Sequence, residues 1–98
     1  MRGAPSHNLT QIQAAMASNL RWTSTARAGA LAVGFQAADV LVTVAQITPA
    51  MFYKSMASEK RPGLMQDVYH VPSRVGLLYV KFTDDGMCAF MLLSFKSK

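Results

Sequence analysis

The sequence has a single cysteine, Cys88, among its 98 residues. One thiol cannot form an intrachain disulfide, and it cannot provide the cysteine cluster of a structural zinc or iron–sulfur site. The five acidic residues are scattered along the chain, and the two histidines are far apart. The sequence therefore predicts no metal and no cofactor, and it suits a reducing compartment such as the cytoplasm.

A secretory signal and a membrane span are also missing from the pattern. The first residues lack the apolar segment of a signal peptide. Residues 28–47 are apolar enough to be considered as a span, but Asp39 lies near their middle, where a charge costs roughly 2.5–3.5 kcal/mol in a bilayer. We therefore expect no membrane partner, and we interpret residues 28–47 as two short buried helices.

What the chain does have is apolar bulk and positive charge. Hydrophobic residues make up 51% and charged residues 15%, which predicts one folded domain spanning residues 1–98. Ten Lys and Arg against five Asp and Glu give a net charge of +5. This balance favours a polyanionic partner, which could be RNA, DNA, an acidic lipid surface or an acidic protein.

Helix signals fill the first half of the chain and strand signals the second. Asn8 is a good N-cap, Ser24 or Thr25 can cap the next helix, and Gly34 fits the left-handed position after a helix end. The predicted elements are helices at residues 9–19, 24–33 and 37–47, a single turn after Thr48-Pro49, and strands at residues 53–57, 65–70, 77–83 and 87–96. Helices followed by an antiparallel sheet indicate an α+β fold.

The last two strands are predicted to form a hairpin. A two-residue turn at Asp85-Gly86 would place Tyr79 opposite Leu92. The core face would then carry Leu78, Val80, Phe82, Met91, Leu93 and Phe95, and the other face Tyr79, Lys81, Ser94 and Lys96. A three-residue loop would bury Lys96 without a partner, which is costly, so the first register is favoured.

Four short blocks occur in order in the second half of the chain. They are F-Y-K-S-M at residues 52–56, Q-D-V-Y at 66–69, L-Y-V-K at 78–81 and S-F-K at 94–96. Together they resemble the signature blocks of the motility quorum-sensing regulator (MqsR) toxins. The resemblance covers residues 52–98 strongly and the first half faintly.

The resemblance implies a RelE-like fold, with helices packed on an antiparallel sheet, and a toxin neutralised by an MqsA-type antitoxin. It also implies metal-independent cleavage of single-stranded mRNA at GCU-like sites. The family's functional residues fall on Lys54, Gln66, Tyr79 and Lys96. We further predict that RNA is contacted by Met56, Lys60, Arg61, His70, Arg74 and Lys81.

Two departures from the family pattern bear on the site. The hairpin between Lys81 and Lys96 is longer by two residues, which keeps Tyr79 and Lys96 on one face but separates them unless a bulge or a wider loop compensates. The family's Arg-Pro after Q-D-V-Y is replaced by His70-Val71-Pro72. This replacement removes or weakens a cationic contact to phosphate.

The residue types allow metal-free RNA cleavage, in which the ribose 2′-OH attacks the adjacent phosphorus. Lys54 or Lys96, with its pKa lowered by the other's charge, could act as base or phosphate clamp. Tyr79 is a candidate proton donor, and Gln66 can bind a phosphate or a base edge. Two rivals remain open: a module that binds RNA or a partner without cutting, and a structural subunit that oligomerises through residues 28–47.

Overall fold

The computed structural model describes residues 3–84 and 89–98. Within this range the elements are α1 (Leu9–Ser18), α2 (Ser24–Ala32), α3 (Ala37–Ala45), the 3-10 turn Pro49–Met51, β1 (Phe52–Ala57), β2 (Met65–Ser73), β3 (Gly76–Asp84) and β4 (Phe90–Ser97). Each strand pairs antiparallel with the next, so the order in the sheet follows the chain. The predicted α+β class, with helices first and an antiparallel sheet second, is confirmed.

Side-chain caps determine where the first two helices begin. The Asn8 side chain accepts a hydrogen bond from the backbone N–H of Gln11 at 3.0 Å, as predicted. Thr23 caps α2 by accepting from the N–H of Ala26 at 3.0 Å, so the cap expected at Ser24 or Thr25 was placed too late. Gly34 follows α2 with a φ of 80°, which confirms its left-handed position.

Strand β2 is longer than the sequence predicted. An end at Val71-Pro72 was expected, but Pro72 pairs with Leu77 and the strand continues to Ser73. Proline is tolerated there because the pairing of β1 with β2 extends only as far as Phe52 opposite Tyr69. Beyond that point β2 has β3 alone as its neighbour, and an edge position does not require the missing N–H.

The helices cover one face of the sheet and form the core with it. The buried side chains that pack there are Ile12, Met16, Ala26, Ala30, Phe35, Val40, Val44, Ile47, Phe52, Tyr69, Val71, Leu78, Val80, Phe82, Leu92 and Phe95. The strand members alternate with side chains that point to the other face, as expected for a sheet with one covered face.

Helix α2 lies unusually close to β4. A Cβ added at Gly29 would lie 2.2 Å from the carbonyl oxygen of Phe95, so a larger residue cannot occupy this position unless the backbone moves. A parallel bridge between Trp22 and Leu92 ties the start of α2 to the same strand. The position of β4 is therefore fixed from the helix side of the sheet.

The segment before α1 is anchored by Asp67. Its buried carboxylate accepts hydrogen bonds from the backbone N–H groups of Ser6, at 3.0 Å, and His7, at 2.8 Å. The His7 ring adds a hydrogen bond to the carbonyl oxygen of Met65, with Nε2 at 2.8 Å. Asp67 thus fastens the N-terminal segment to β2, and these hydrogen bonds explain why a carboxylate can be fully buried in this strand.

Tyr69 carries a buried hydroxyl that has no hydrogen-bond partner among the described residues. Burial, together with the negative charge of Asp67, raises the pKa of Tyr69 to about 12. The ring itself packs edge-on against Phe52 and Phe82 in the core. The hydroxyl is consequently a local cost to folding that the aromatic contacts offset.

Residues 28–47 form two helices, as predicted, but each buries only one side. Leu31 on α2 is 71% exposed and Val42 on α3 is 57% exposed, so the expectation of buried helices was wrong for these faces. Among the residues that the structure describes, no single helix is long and apolar enough to cross a membrane. Helices α2 and α3 meet that criterion only when taken together, and they are bent by 95°.

Candidate active site on the open face of the sheet

The face of the sheet opposite the helices, hereafter the open face, carries polar and cationic side chains in rows across the strands. The strand pairing aligns Tyr53, His70, Tyr79 and Lys96 in a first row, Lys54, Val68, Lys81 and Ser94 in a second, and Met56, Gln66, Thr83 and Met91 in a third. The four residues predicted to be catalytic, Lys54, Gln66, Tyr79 and Lys96, all lie on this face. The register therefore brings together residues that are up to 42 positions apart in the sequence (54 to 96).

The pairing of β3 with β4 differs from the predicted hairpin. Thr83 pairs with Met91, and Tyr79 pairs with Lys96 instead of Leu92. The turn expected at Asp85-Gly86 lies outside the described residues. Asp84 pairs with Phe90, so the chain between the two paired strands is five residues long (85–89), wider than the two-residue turn that was expected.

The wider connection also changes which residues of β4 face the core. Leu92 is fully buried in the core, whereas Leu93 lines a groove on the open face and Met91 pairs with Thr83 there. The expectation that Met91 and Leu93 face the core was therefore wrong. Phe95 does face the core, as predicted.

A bulge at Leu93 restores the predicted alternation in the rest of β4. Phe82 pairs with Leu92 and Lys81 with Ser94, so Leu93 has no partner on β3. Because the bulge adds one residue, Ser94 and Lys96 return to the open face, as the sequence predicted. The longer hairpin is thus compensated by a wider connection and a bulge together, and Lys96 lies directly opposite Tyr79.

A second bulge lies at Tyr53 in β1, the other edge strand. Phe52 pairs with Tyr69 and Lys54 with Val68, which leaves Tyr53 as the extra residue. Simple alternation would put Tyr53 and Lys54 on opposite faces, but the bulge presents both on the open face. For this reason the sequence pattern did not indicate Tyr53 as a site residue.

Three lysines, Lys54, Lys81 and Lys96, share the open face, each on a different strand. Lys54 and Lys81 flank Val68 on the neighbouring strands, and Val68 is completely buried although it lies outside the core. Burial lowers the pKa of Lys81, and the positive charges of Lys96 and Lys54 lower it further, while Glu59 acts in the opposite direction. The lysine whose pKa is lowered therefore lies on β3, one of the two inner strands of the sheet.

Aromatic rings form a row beside the lysines. Tyr53 and His70 are stacked, with 4.1 Å between ring centroids and 20° between planes. His70 and Tyr79 follow at 6.2 Å with a tilt of 44°. The Nζ of Lys96 lies 5.2 Å from the centroid of the Tyr79 ring, and the Nζ of Lys54 lies 5.5 Å from that of Tyr53, within the range of cation–π contacts.

A groove of about 430 Å³ opens on the other side of the lysines. Met56, Gln66, Lys81 and Leu93 line it from the strands, and Thr25 lines it from the start of α2. Polar and charged side chains make up most of its lining, and Met56, Ala57 and Leu93 add apolar surface, so the groove offers hydrogen-bonding groups beside apolar contacts.

The exposed loop between β1 and β2, residues 58–64, borders this groove. Lys60 lines it, and Arg61 lines an adjoining hollow of about 230 Å³. Both cations therefore lie at the rim of the open face, and their contact with RNA stays a prediction.

Arg74 is not brought into this group. Its guanidinium lies 4.2 Å from the centroid of the Phe35 ring, and it donates a hydrogen bond to the carbonyl oxygen of Gly34 at 3.3 Å. Asp39 is 3.8 Å away from it. Arg74 thus links the turn between β2 and β3 to the helices, apart from the lysines of the open face.

Within residues 3–84 and 89–98, no three His, Cys, Asp or Glu side chains come together as possible metal ligands. A comparison with protein families gives a match over residues 4–97 to the family described as the motility quorum-sensing regulator, toxin of MqsA. A comparison with curated proteins gives no match. The matched range includes the helices as well as the open face, so it extends beyond the four sequence blocks of the second half.

Proposed function

Because the chain belongs to the motility quorum-sensing regulator family, the toxins of MqsA-type antitoxins, we propose that it is a metal-independent endoribonuclease that cleaves single-stranded mRNA at GCU-like sites. The observation that carries this proposal is the assembly of Lys54, Lys81, Lys96 and Tyr79 on one accessible face. Three ammonium groups on one face attract a phosphate, and the phenol of Tyr79 beside Lys96 can donate a proton.

The reaction begins with attack of the ribose 2′-oxygen on the adjacent phosphorus. We assign Lys81 as the base, because its lowered pKa gives a larger share of neutral amine to accept the 2′-OH proton. Lys54 and Lys96 stabilise the additional negative charge that builds up on the phosphoryl oxygens. In this assignment the charge of the two outer lysines serves twice, since it also favours the neutral form of Lys81.

The bond between phosphorus and the 5′-oxygen then breaks. The Tyr79 hydroxyl donates its proton to that oxygen, which leaves a 5′-OH on one product and a 2′,3′-cyclic phosphate on the other. The protonated Lys81 and the Tyr79 phenolate return to their starting states by proton exchange through solvent. Gln66, in the adjoining groove, donates a hydrogen bond from its amide to a phosphate oxygen or a base edge.

RNA cleavage in the presence of EDTA tests the proposal. A labelled single-stranded RNA that contains GCU is mixed with excess protein, and products are identified by their 2′,3′-cyclic phosphate and 5′-OH ends. We expect cleavage to continue without divalent metal. Complete dependence on added Mg²⁺ or Mn²⁺ would refute the mechanism.

Two variants separate chemistry from binding. Tyr79→Phe and Lys96→Ala are expected to slow single-turnover cleavage by roughly 10²–10⁴-fold, with much smaller effects on RNA affinity. Lys98→Ala is the matched control, because it removes an exposed lysine that directly follows β4 and lies outside the assigned site. Lys60→Ala in the loop is expected to weaken binding mildly for all sequences. If both site variants cleave at nearly the wild-type rate, the assignment is wrong.

The rival without catalysis predicts a gel shift that leaves the RNA intact. This binding module without catalysis would be favoured if the longer hairpin moved Lys96 away from Tyr79. The register opposes that case, since the two residues are direct partners across β3 and β4.

A further inference from the structure

The stacked rings of Tyr53 and His70 have no role in the chemistry assigned above. Tyr53 is 40% exposed, which is high for a tyrosine in a paired strand. Its position on the open face depends on the bulge, and bulges next to active sites re-aim side chains in this way. An exposed ring held at this place is available to a ligand that covers it.

His70 holds the Tyr53 ring in a defined orientation. The two rings are nearly parallel, at 20°, with centroids 4.1 Å apart, so His70 lies against one face of Tyr53 and supports it. His70 is itself in contact with Tyr79 in the same row. A ring supported in this way loses little side-chain freedom when a ligand stacks on it.

The surroundings of the pair select the chemistry of the ligand. The ammonium group of Lys54 lies 5.5 Å from the Tyr53 centroid, and Lys96 lies beside the next ring of the row. A ligand that fits both features has a flat aromatic ring and, a few ångströms from it, an anionic group. Nucleotides of a single strand have this composition, and proteins bind them by stacking bases on aromatic rings beside backbone-binding cations.

We propose that the Tyr53–His70 pair is a stacking site for one nucleobase of single-stranded RNA, with the phosphate of that nucleotide at Lys54. The inference rests on the proposed function for its substrate class, and it adds a base-binding pair, Tyr53 and His70, to the residues assigned to cleavage, with which it shares Lys54. The groove lined by Met56 and Leu93 lies on the other side of the lysines. With a base on the rings and its phosphate at Lys54, the RNA would run across the sheet from the Tyr53–His70 pair past the lysines towards this groove.

Binding is tested with an RNA that cannot be cleaved. A fluorescein-labelled 2′-O-methyl hexanucleotide containing GCU lacks the free 2′-OH nucleophile, so anisotropy reports affinity alone. Tyr53→Ala is expected to weaken binding by roughly 5- to 150-fold, the range that corresponds to loss of one base–aromatic stack. Tyr53→Phe retains the ring and is expected to remain within about twofold of wild type, because stacking needs the ring and not the hydroxyl.

Leu77→Ala is the matched control. Leu77 is 41% exposed, apolar and on β3 of the same sheet, so its removal tests for a general effect of surface truncation. Tyr53→Leu keeps apolar bulk without a ring, and it replaces Tyr53→Ala if that variant fails to fold. Equal loss of affinity in Tyr53 and Leu77 variants, or no loss in either Tyr53→Ala or Tyr53→Leu, overturns the proposal.

Abasic substitutions then locate the base. Each position of the hexanucleotide in turn carries an abasic residue, and affinity is measured for wild type and Tyr53→Ala. We expect a single position to matter for wild type and to lose its effect in the variant. A wild type that is insensitive to every abasic position, or that does not bind the hexanucleotide, contradicts the stacking site. If wild type binds with this pattern but does not cleave RNA, the endoribonuclease proposal fails and the stacking site stands.

Discussion

Replacing Lys81 by methionine should make the protein more stable while it abolishes cleavage. Lys81 on β3 lies diagonally across from Lys96 on β4. Lys54 on β1 is two strands away from Lys81, with the buried Val68 of β2 between them. Methionine keeps an unbranched stem that covers Val68, and it removes the central charge. The variant therefore removes two costs together, the partial burial of the Lys81 charge and its repulsion with the other two lysines, and only the repulsion is screened by salt.

The magnitude follows from the spacing of the sheet. Diagonal cross-strand neighbours are about 7–8 Å apart, and a second-neighbour strand lies about 9.5 Å away. Each like-charge pair then costs roughly 0.5 kcal/mol in water, or about 1 kcal/mol for the two pairs. A Debye length of about 8 Å at 0.15 M salt reduces this to less than half. We expect a melting temperature about 3–6 °C higher in dilute buffer, with a gain that shrinks in high salt.

The dependence on pH has a defined sign. A lysine with a folded-state pKa below its usual value destabilises the folded protein as long as the pH is below that pKa. The penalty disappears as the pH rises towards 10.5, the value in the unfolded chain, so the advantage of Lys81→Met should vanish there.

Thermal unfolding at two salt concentrations and several pH values checks the prediction, with Lys98→Met as control. Substituting this exposed lysine is expected to change stability by less than about 0.5 kcal/mol. A lower melting temperature for Lys81→Met, or a gain that salt does not alter, would refute the electrostatic argument.

Other predictions address the core and the partner. Gly29→Ala should destabilise the fold by about 1–3 kcal/mol in urea unfolding, because its Cβ would collide with the Phe95 carbonyl; unchanged stability would contradict the close packing of α2. Tyr69→Phe should raise the unfolding free energy by about 1 kcal/mol, since it removes a buried hydroxyl without a partner. The free energy of unfolding of the wild type should also fall between pH 10 and about 12, because the tyrosine ionises near pH 10 in the unfolded chain but only near 12 in the folded protein. Thermal unfolding at alkaline pH should show a smaller fall for Tyr69→Phe, which lacks this ionisation. Expression of the toxin alone should arrest bacterial growth and co-expression of an MqsA-type antitoxin should restore it; normal growth at high soluble expression would count against this.

Local signals in the sequence were sufficient for much of the fold. Asn8 and Gly34 mark helix boundaries through hydrogen bonding and backbone conformation that depend on a few neighbouring residues. Strand alternation placed Leu78, Val80 and Phe82 in the core because one side of β3 is apolar. These features require no knowledge of a partner strand.

The details of the site depend on which residues of neighbouring strands pair, and the alternation of side chains within one strand does not indicate that pairing. Neither bulge has a local signature, so Tyr53 and Leu93 were missed or assigned to the wrong face. Lys81 was predicted as an RNA contact, but its lowered pKa results from burial and from the charges of Lys96 and Lys54, which only the folded sheet brings near it. Asp67 belongs to a block that resembles a functional motif, whereas its carboxylate holds the backbone of residues 6–7.

The two bulges also bear on how the length of the chain can vary. A strand with one surplus residue can lose that residue and return to regular pairing without turning the rest of the strand over. Deletion of Tyr53 would leave Lys54 opposite Val68, and deletion of Leu93 would leave Ser94 opposite Lys81. Both edge strands can therefore absorb a single-residue deletion at these points, while the lysines of the open face keep their places in the sheet.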